Sequence, residues 1–421
     1  MSEPQERPPS TLNQSCFCTT VDRDGLLQAL QREIGDDNLA RALATTHPHL
    51  FASVSMFLSA SDLARMRDVV QAIESIAALP DYRQTVLSWA PTIAQHSPGP
   101  VGAFMGYDFH VGDGAPQLIE INTNAGGAFL NAFLARAQTA CCREARRRGI
   151  EATTGFESAI EAMFRAEWRR QRGDAPLTTI AIVDDAPQEQ YLYPEFLLAQ
   201  RLLTQAGLQA VVVDAKELSY QDGRLVAAGK TVDLVYNRLT DFAFAYPDHA
   251  ALHGAYRDGA VVATPNPHIH ALLADKRNLT LLSDRTALTS WGVEERVAEI
   301  LEASIPRTVC VTADNAADMW KNRRQFFFKP MSGFGSKGAY RGDKVTKGVW
   351  ESIVSGGYVA QAFAPPGQRT IKLDGAEVPL KADVRLYTYA GQDLMVAARL
   401  YQGQTTNLRT QGGGFAPVFL T

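Results

Sequence analysis

The chain has 421 residues, of which 46% are hydrophobic and 20% charged. That balance excludes a disordered chain and, at roughly 150 residues per domain, points to two or three domains. Lysine and arginine number 41 against 45 acidic residues, a net charge of -4, so no overall positive field is present to attract nucleic acid or an anionic membrane. No run approaches the ~18 apolar residues that cross a bilayer, and the first fifteen residues lack the apolar stretch of a secretory signal. Five cysteines do not make a disulfide framework, so the expected compartment is the cytoplasm.

In chain order, Leu63, Met66, Val70, Ile73 and Ala77 recur at helical spacing between Ser61 and Pro80 and predict an amphipathic core helix. Gly and Pro then punctuate two short alternating segments, 105–110 and 118–122, joined by Gly112, Asp113 and Gly114, which is the pattern of a hairpin. Residues 129–148 and 156–172 read as helices that end in arginine runs before Gly149 and Gly173, as helix C-termini favour. From Leu177 the apolar runs 180–183, 211–213, 232–236 and 261–262 alternate with helical stretches after Pro194 and Pro247, which predicts a small doubly wound parallel α/β domain. A turn at Asp222-Gly223 predicts an inserted hairpin. Beyond Asp275 the mixture of helices, strands and glycine-rich loops reads as α+β. There is no internal repeat and no low-complexity segment. Cys16, Cys18, Cys141 and Cys142 lack the spacing of a zinc site, and His268 and His270, after Pro265-Asn266-Pro267, read as solvated or capping residues.

Three clusters carry chemistry. Strand alternation over 117–122 puts Glu120 and Asn122 on one face and Ile119 and Ile121 on the other. Closing the hairpin brings Asp108 opposite Glu120, with His110 on the same face. Asp, Glu and Asn supply the hard oxygen donors that Mg²⁺ takes beside substrate phosphates, although an exposed sheet face would carry the same residues. Asn124, Gly126 and Gly127 mark a loop where backbone can approach a ligand. The second cluster is the apolar strand 326–330 with Lys329, followed by Ser332, Gly333, Gly335, Ser336, Lys337 and Gly338. Such a loop exposes N–H groups to phosphate oxygens beside a fixed positive charge, though its spacing is neither a dinucleotide fingerprint nor a Walker loop. The third is a pair of strands in which Arg385 and Arg399 alternate with apolar neighbours and require an anionic partner, whether substrate or internal carboxylate. Asn407, Arg409 and residues 412–414 follow in a polar, glycine-rich loop.

Together these residues resemble the ATP-grasp superfamily of ligases. Asp275-Lys276, the segment 305–308 and the Lys329 strand before its glycine loop are similar to the family's first ATP-binding half, and Tyr358 to Phe363 is similar to its adenine hinge. The segments 383–385 and 397–399, and Asn407-Leu408 with the following glycines, resemble the second half in glutathione synthetases and ribosomal-protein glutamate ligases. One element is out of order, because the aspartate and Glu-x-Asn of the magnesium site stand at Gly106-Tyr107-Asp108 and Glu120-Ile121-Asn122, before the lysines rather than after the arginines. The sequence thus resembles a circularly permuted ATP-grasp, as in eukaryotic-type glutathione synthetases and glutathionylspermidine synthetases, over roughly residues 101–127 and 177–414.

The resemblance implies an α/β plus α+β chain: a permuted ATP-grasp fold with a small pre-ATP-grasp domain. Residues 1–175 would hold the helical region and metal half, 176–274 the Rossmann-like substrate domain and 275–421 the ATP-binding half. It implies a carboxylate-amine ligase that uses ATP and Mg²⁺ and passes through an acyl phosphate. Asp108, Glu120 and Asn122 would hold the metal; Lys276, Lys329 and residues 332–338 the phosphates; Gln361 and Phe363 the base. Arg385, Arg399 and Asn407 would serve phosphoryl transfer, and His110, Asn124, Asn237, Arg238 and Arg409 the acid or amine. The expected partners are small carboxylic acids and amines, without nucleic acid or membrane; dimers are frequent in the resembling families. A nucleotide-binding regulator without turnover, or a phosphotransferase or thiol ligase on the same fold, are the alternatives.

Overall fold

The computed structural model describes residues 8–112, 114–137, 155–333, 335 and 337–421. Strands β1 (Met56–Leu58), β2 (Met105–His110) and β3 (Gln117–Asn122) come first. They are followed by β4 (Thr179–Asp184) and β5 (Gln209–Asp214), then by a small meander, β6 (Ser219–Gln221), β7 (Arg224–Ala227) and β8 (Lys230–Thr231). Next come β9 (Leu234–Asn237) and β10 (Val262–Thr264). The remaining strands are β11 (Thr308–Cys310), β12 (Phe326–Pro330), β13 (Tyr340–Arg341), β14 (Tyr358–Ala362), β15 (Gly367–Leu373), β16 (Ala376–Tyr389), β17 (Gln392–Tyr401) and β18 (Gly414–Leu420).

The largest sheet runs β1-β18-β17-β16-β2-β3, with β15 also paired to β16. Strand β16 is its spine: the first half pairs with β15, and Val384 to Thr388 pair antiparallel with Phe109 to Met105 of β2. Early and late segments of the chain therefore share one sheet. Period-2 alternation divides its faces. Val384 and Leu386 join Tyr107 and Phe109 in one core, against Leu63, Met66, Val70 and Ile73 of the helix Ala60–Ala77. Asp383, Arg385, Gly106, Asp108 and His110 alternate with them and turn to the other face. The helix begins where the Ser59 hydroxyl accepts from Asp62 N, and Pro80 opens the next helix.

The second sheet, β10-β9-β4-β5, is parallel throughout, and every residue of β4 is buried, as expected for a strand covered on both faces. Asp222 and Gly223, both with positive φ, turn β6 into β7, the geometry a two-residue hairpin requires. The third sheet, β11-β14-β12-β13, is antiparallel and places β12 directly against β14. Among the described residues no helix is long and apolar enough to cross a membrane.

Two expectations change. The helix expected over 129–148 is described as Ala128–Arg136; Cys141, Cys142, Arg148 and Gly149 lie outside the described residues. His268 is buried and His270 half-buried, rather than solvated. Asn266 caps a helical turn by accepting from Ile269 N, and the apolar run 271–274 carries the segment inward, so that His268 is 5% exposed and its Nδ1 bonds the Ala94 carbonyl. His270 meets Thr123 Oγ1 at 3.0 Å and stacks on Phe242 at 3.8 Å; burial, then the Lys276 charge, lower it to about 3.

Candidate active site

A cavity of about 300 Å³ lies between the large sheet and the third sheet. Its floor is the β2–β3 pair, where Asp108 faces Glu120. The register shifts between Asp108 and Phe109, which places Leu118 opposite Phe109 and leaves Ile119 as an extra residue. This bulge corrects the simple alternation read from the sequence: Leu118 and Ile121 enter the core, whereas Ile119 lines the cavity with Glu120 and Asn122. It also aims the Ile119 carbonyl at Lys329, whose Nζ donates to it at 2.6 Å.

Lys329 stands on β12 opposite Val359, and its Nζ also donates to Gln361 Oε1 at 2.8 Å. That bond fixes the Gln361 amide and leaves its Nε2, buried in the cavity wall, without a protein partner. Burial lowers the Lys329 ammonium to about 8; Glu120 and Asp108 pull it up, and the nearby Lys276 charge adds to the depression. Lys276 meets Glu120 Oε1 at 3.0 Å and donates to the Gly333 carbonyl at 2.9 Å, tying the glycine-rich segment to the sheet floor. Burial would raise the Glu120 carboxyl, but Lys276 and Lys329 outweigh it and hold it below its ordinary value.

The opposite wall is a network of arginines and carboxylates. Arg385 Nε and Nη2 donate to the two oxygens of Asp108 at 2.5 and 2.7 Å, and Arg399 Nη2 donates to Asp108 Oδ2 at 2.8 Å. Asn122 Nδ2 donates to the same oxygen at 3.1 Å, which leaves the Asn122 carbonyl oxygen for another partner. Burial alone would raise Asp108, and the two guanidiniums reverse this and hold it at about 2. Arg399 Nε donates to Asp383 Oδ1 at 2.7 Å, and Asp383 is fully buried. The Gly126 carbonyl accepts from Arg385 Nη1 at 3.2 Å and from the Tyr387 hydroxyl at 2.7 Å. His110 Nδ1 bonds the Ala364 carbonyl at 2.7 Å, and burial lowers the ring's affinity for a proton.

Of the residues singled out in the sequence, Asp108, His110, Glu120, Asn122, Lys276, Lys329, Gly333, Gly335, Lys337, Gln361, Phe363, Arg385, Arg399 and Asn407 line this one cavity. Ser332, Gly338, Asn124, Asn237, Arg238 and Arg409 are not among its lining residues, and Ser336 lies outside the described residues. Asn237 is 3% exposed and spends its side chain on the Pro265 carbonyl and Leu239 N, a structural use that follows from its place at the end of a buried parallel strand. Arg409 is exposed. Asn124 donates to the Leu239 carbonyl, and its Oδ1 is buried without a protein partner. Arg238 lies over Phe196 and Tyr236 with Nε also unpartnered. Asn407 lines the cavity, but its amide organises its own loop, donating to the Gln402 carbonyl and accepting from Arg409 N. Sequence reasoning missed Asp383 as a partner of Arg399, and Thr406 as a partner of Asp383. Asp383 had a readable signal, because it lies two residues from Arg385 on the same strand face. Thr406, in an irregular loop, had none.

The donor set fits a hard cation in part. Glu120 and the free oxygen of Asn122 are suitable ligands, while Asp108 is occupied by two guanidiniums. Among the described residues no group of three or more His, Cys, Asp or Glu side chains is placed to hold a metal alone. Such a site suits Mg²⁺, which takes most of its ligands from phosphate and water.

No family model and no curated protein matches the chain. Among solved structures, a glutathione synthetase-like effector from Globodera pallida in its apo form is 12% identical, with a TM-score of 0.56, over 95% of this chain and 98% of that one. A putative γ-glutamylcysteine synthetase from Methylobacillus flagellatus is 12% identical over 84% and 85% of the chains, with a TM-score of 0.46. The ATP-grasp ligase PsnB, complexed with minimal precursor, Mg and ADP, is 13% identical over 57% of this chain and 87% of that one, with a TM-score of 0.30. The match to the effector along nearly the whole of both chains shows the fold: this mixed α/β chain is folded like that glutathione synthetase-like protein.

Proposed function

We propose that this protein is an ATP-dependent carboxylate-amine ligase that activates a small acid as its acyl phosphate and gives an amide, ADP and phosphate. The observation that carries the reading is the convergence in one cavity of two buried lysines, a lowered carboxylate and two arginines drawn from four separated stretches of chain. Phosphoryl transfer asks for positioning and charge neutralisation more than for covalent help from the protein. Lys276 and Lys329 would hold the phosphates, with Phe327, Gln361 and Phe363 around the base. Glu120 and the Asn122 oxygen would hold Mg²⁺, which supplies charge neutralisation on the phosphates when bound. Arg385 would turn from Asp108 to the terminal phosphate, while Arg399, held by Asp383, would face that phosphate and the developing acyl phosphate. Asn124 and Arg238, with unpartnered atoms beside the Gly126 loop, would orient the acid or amine. The glycine-rich segment would exclude water from the acyl phosphate. The cytoplasm and a homodimer remain part of this reading.

The test is ADP release that depends on both an acid and an amine and is lost in Glu120→Gln. If ADP forms at full rate with the acid alone, the amide-forming reading is wrong. One observation favours a second reading, a nucleotide-binding protein without turnover: Asp108 is already saturated by the arginine pair. Tight binding of ATP with no ADP release across amino acids, short peptides and polyamines would favour it.

A further inference from the structure

We propose that Thr406 is a positioning residue for Arg399, acting through the buried carboxylate of Asp383, and that it sets how strongly the site prefers a nucleoside triphosphate to a diphosphate. The proposal rests on the assignment of Arg399 to the terminal phosphate. The two arginines share Asp108 but differ in their second anchor. Apart from Asp108, Arg385 donates to a backbone carbonyl, that of Gly126. Arg399 has a second carboxylate, Asp383, directly across the ladder from it. The Thr406 hydroxyl donates to the other Asp383 oxygen, Oδ2. With one oxygen on Arg399 and the other on Thr406, the plane of the Asp383 carboxylate is fixed, and with it the direction of the guanidinium.

The difference matters when the site fills. Anything that draws Asp108 away releases Arg385 from the only carboxylate it meets among the described residues, whereas Arg399 stays tethered to Asp383. Arg399 is therefore the fixed member of the pair, and its aim depends on the Thr406 bond. The loop does not need that bond for its own frame. Asn407 Nδ2 donates to the Gln402 carbonyl at 2.7 Å, its Oδ1 accepts from Arg409 N and Thr410 Oγ1 at 3.0 Å, and Gln402 N donates to Thr410 Oγ1 at 2.9 Å. Thr406→Val keeps the branched shape and leaves a buried Asp383 oxygen without its donor.

Calorimetry with Mg²⁺ and either ADP or a non-hydrolysable ATP analogue reads the effect without turnover. The wild type binds the triphosphate more tightly. Thr406→Val loses at least about fivefold of that preference with ADP affinity within about twofold, and Thr406→Ser restores it. Asn407→Ala, which disturbs the loop frame, weakens both nucleotides alike. A valine variant with the wild-type ratio, or a serine variant that fails like valine, overturns the proposal. Equal wild-type affinity for both nucleotides removes the Arg399 assignment and this proposal with it, leaving the nucleotide site standing. A wild type that binds neither nucleotide removes the nucleotide site itself.

Discussion

Replacing Asp108 by asparagine removes the one carboxylate shared by both arginines while keeping its size. The carboxyl is held at about 2 against an ordinary 3.8, which corresponds to about 2 kcal/mol of net stabilisation of the ionised form. The variant should lose more than that. Arg385 is left without a carboxylate in a buried site, and breaking such a pair from one side costs about 3–5 kcal/mol; Arg399 retains Asp383, which keeps the expected loss near the lower end, at about 3 kcal/mol. Urea unfolding at pH 7 measures it. The folded carboxyl is the stronger acid, so its contribution is complete above the unfolded value near 4 and disappears as pH falls through about 2. The wild-type and variant stabilities should therefore converge in that window. An added anion should also substitute for the lost carboxylate, so phosphate or ATP without metal should stabilise the variant more than the wild type. A loss below about 1 kcal/mol at pH 7, or curves that stay parallel into acid, would refute the view that Asp108 holds the arginine pair together.

Lys329, lowered to about 8, is predicted to make nucleotide affinity pH-dependent: wild-type binding weakens as pH rises through 8 and the charge is lost, while Lys329→Met binds weakly with a flat profile between pH 7 and 9. A flat wild-type profile, measured by calorimetry, would count against the lysine as a phosphate contact. Gly106→Ala would place a Cβ 2.5 Å from the Ala125 Cβ and 3.2 Å from Arg385 Cδ, so it should displace Arg385. The expected result is a lower melting temperature together with weaker binding of the triphosphate, and wild-type affinity in this variant would show that Arg385 is not held by β2.

Much of the site was legible because polar residues on regular strands obey a period of two. Asp108 and Glu120 could be placed opposite each other from the hairpin alone, and Arg385 and Arg399 could be expected to seek an anion because their neighbours are apolar. What alternation could not give is the bulge at Ile119. An inserted residue leaves no trace in composition, yet it turns a carbonyl toward Lys329 and decides which apolar side chain faces the cavity. The same limit applies to Asp108. Its type and position suit a metal ligand, but pairing across β16 and β17 delivers two guanidiniums to it, and that encounter spans more than 270 residues of sequence. His270 shows a third kind of limit: a histidine near prolines reads as a surface residue until the apolar run after it pulls the turn into the core.

The segment that follows β3 links these parts. Thr123 is held by His270, which stacks on Phe242, and Asn124 is held by the Leu239 carbonyl, so the carboxyl end of β9 grips the chain immediately beyond Asn122. Two residues later, the Gly126 carbonyl receives Arg385 and Tyr387, and Gly127 N donates to the buried Glu195 at 2.5 Å. A side chain at Gly126 would meet Leu192 Cδ1 at 2.4 Å and Arg238 Nη2 at 3.0 Å. Glycine is required there because the α/β sheet and the arginine wall close on the same few backbone atoms. Under the proposed ligase reading, an acid or amine engaging Arg238 would thus press on the loop that orients Arg385, and the two ends of the site would be joined through residues 123–127.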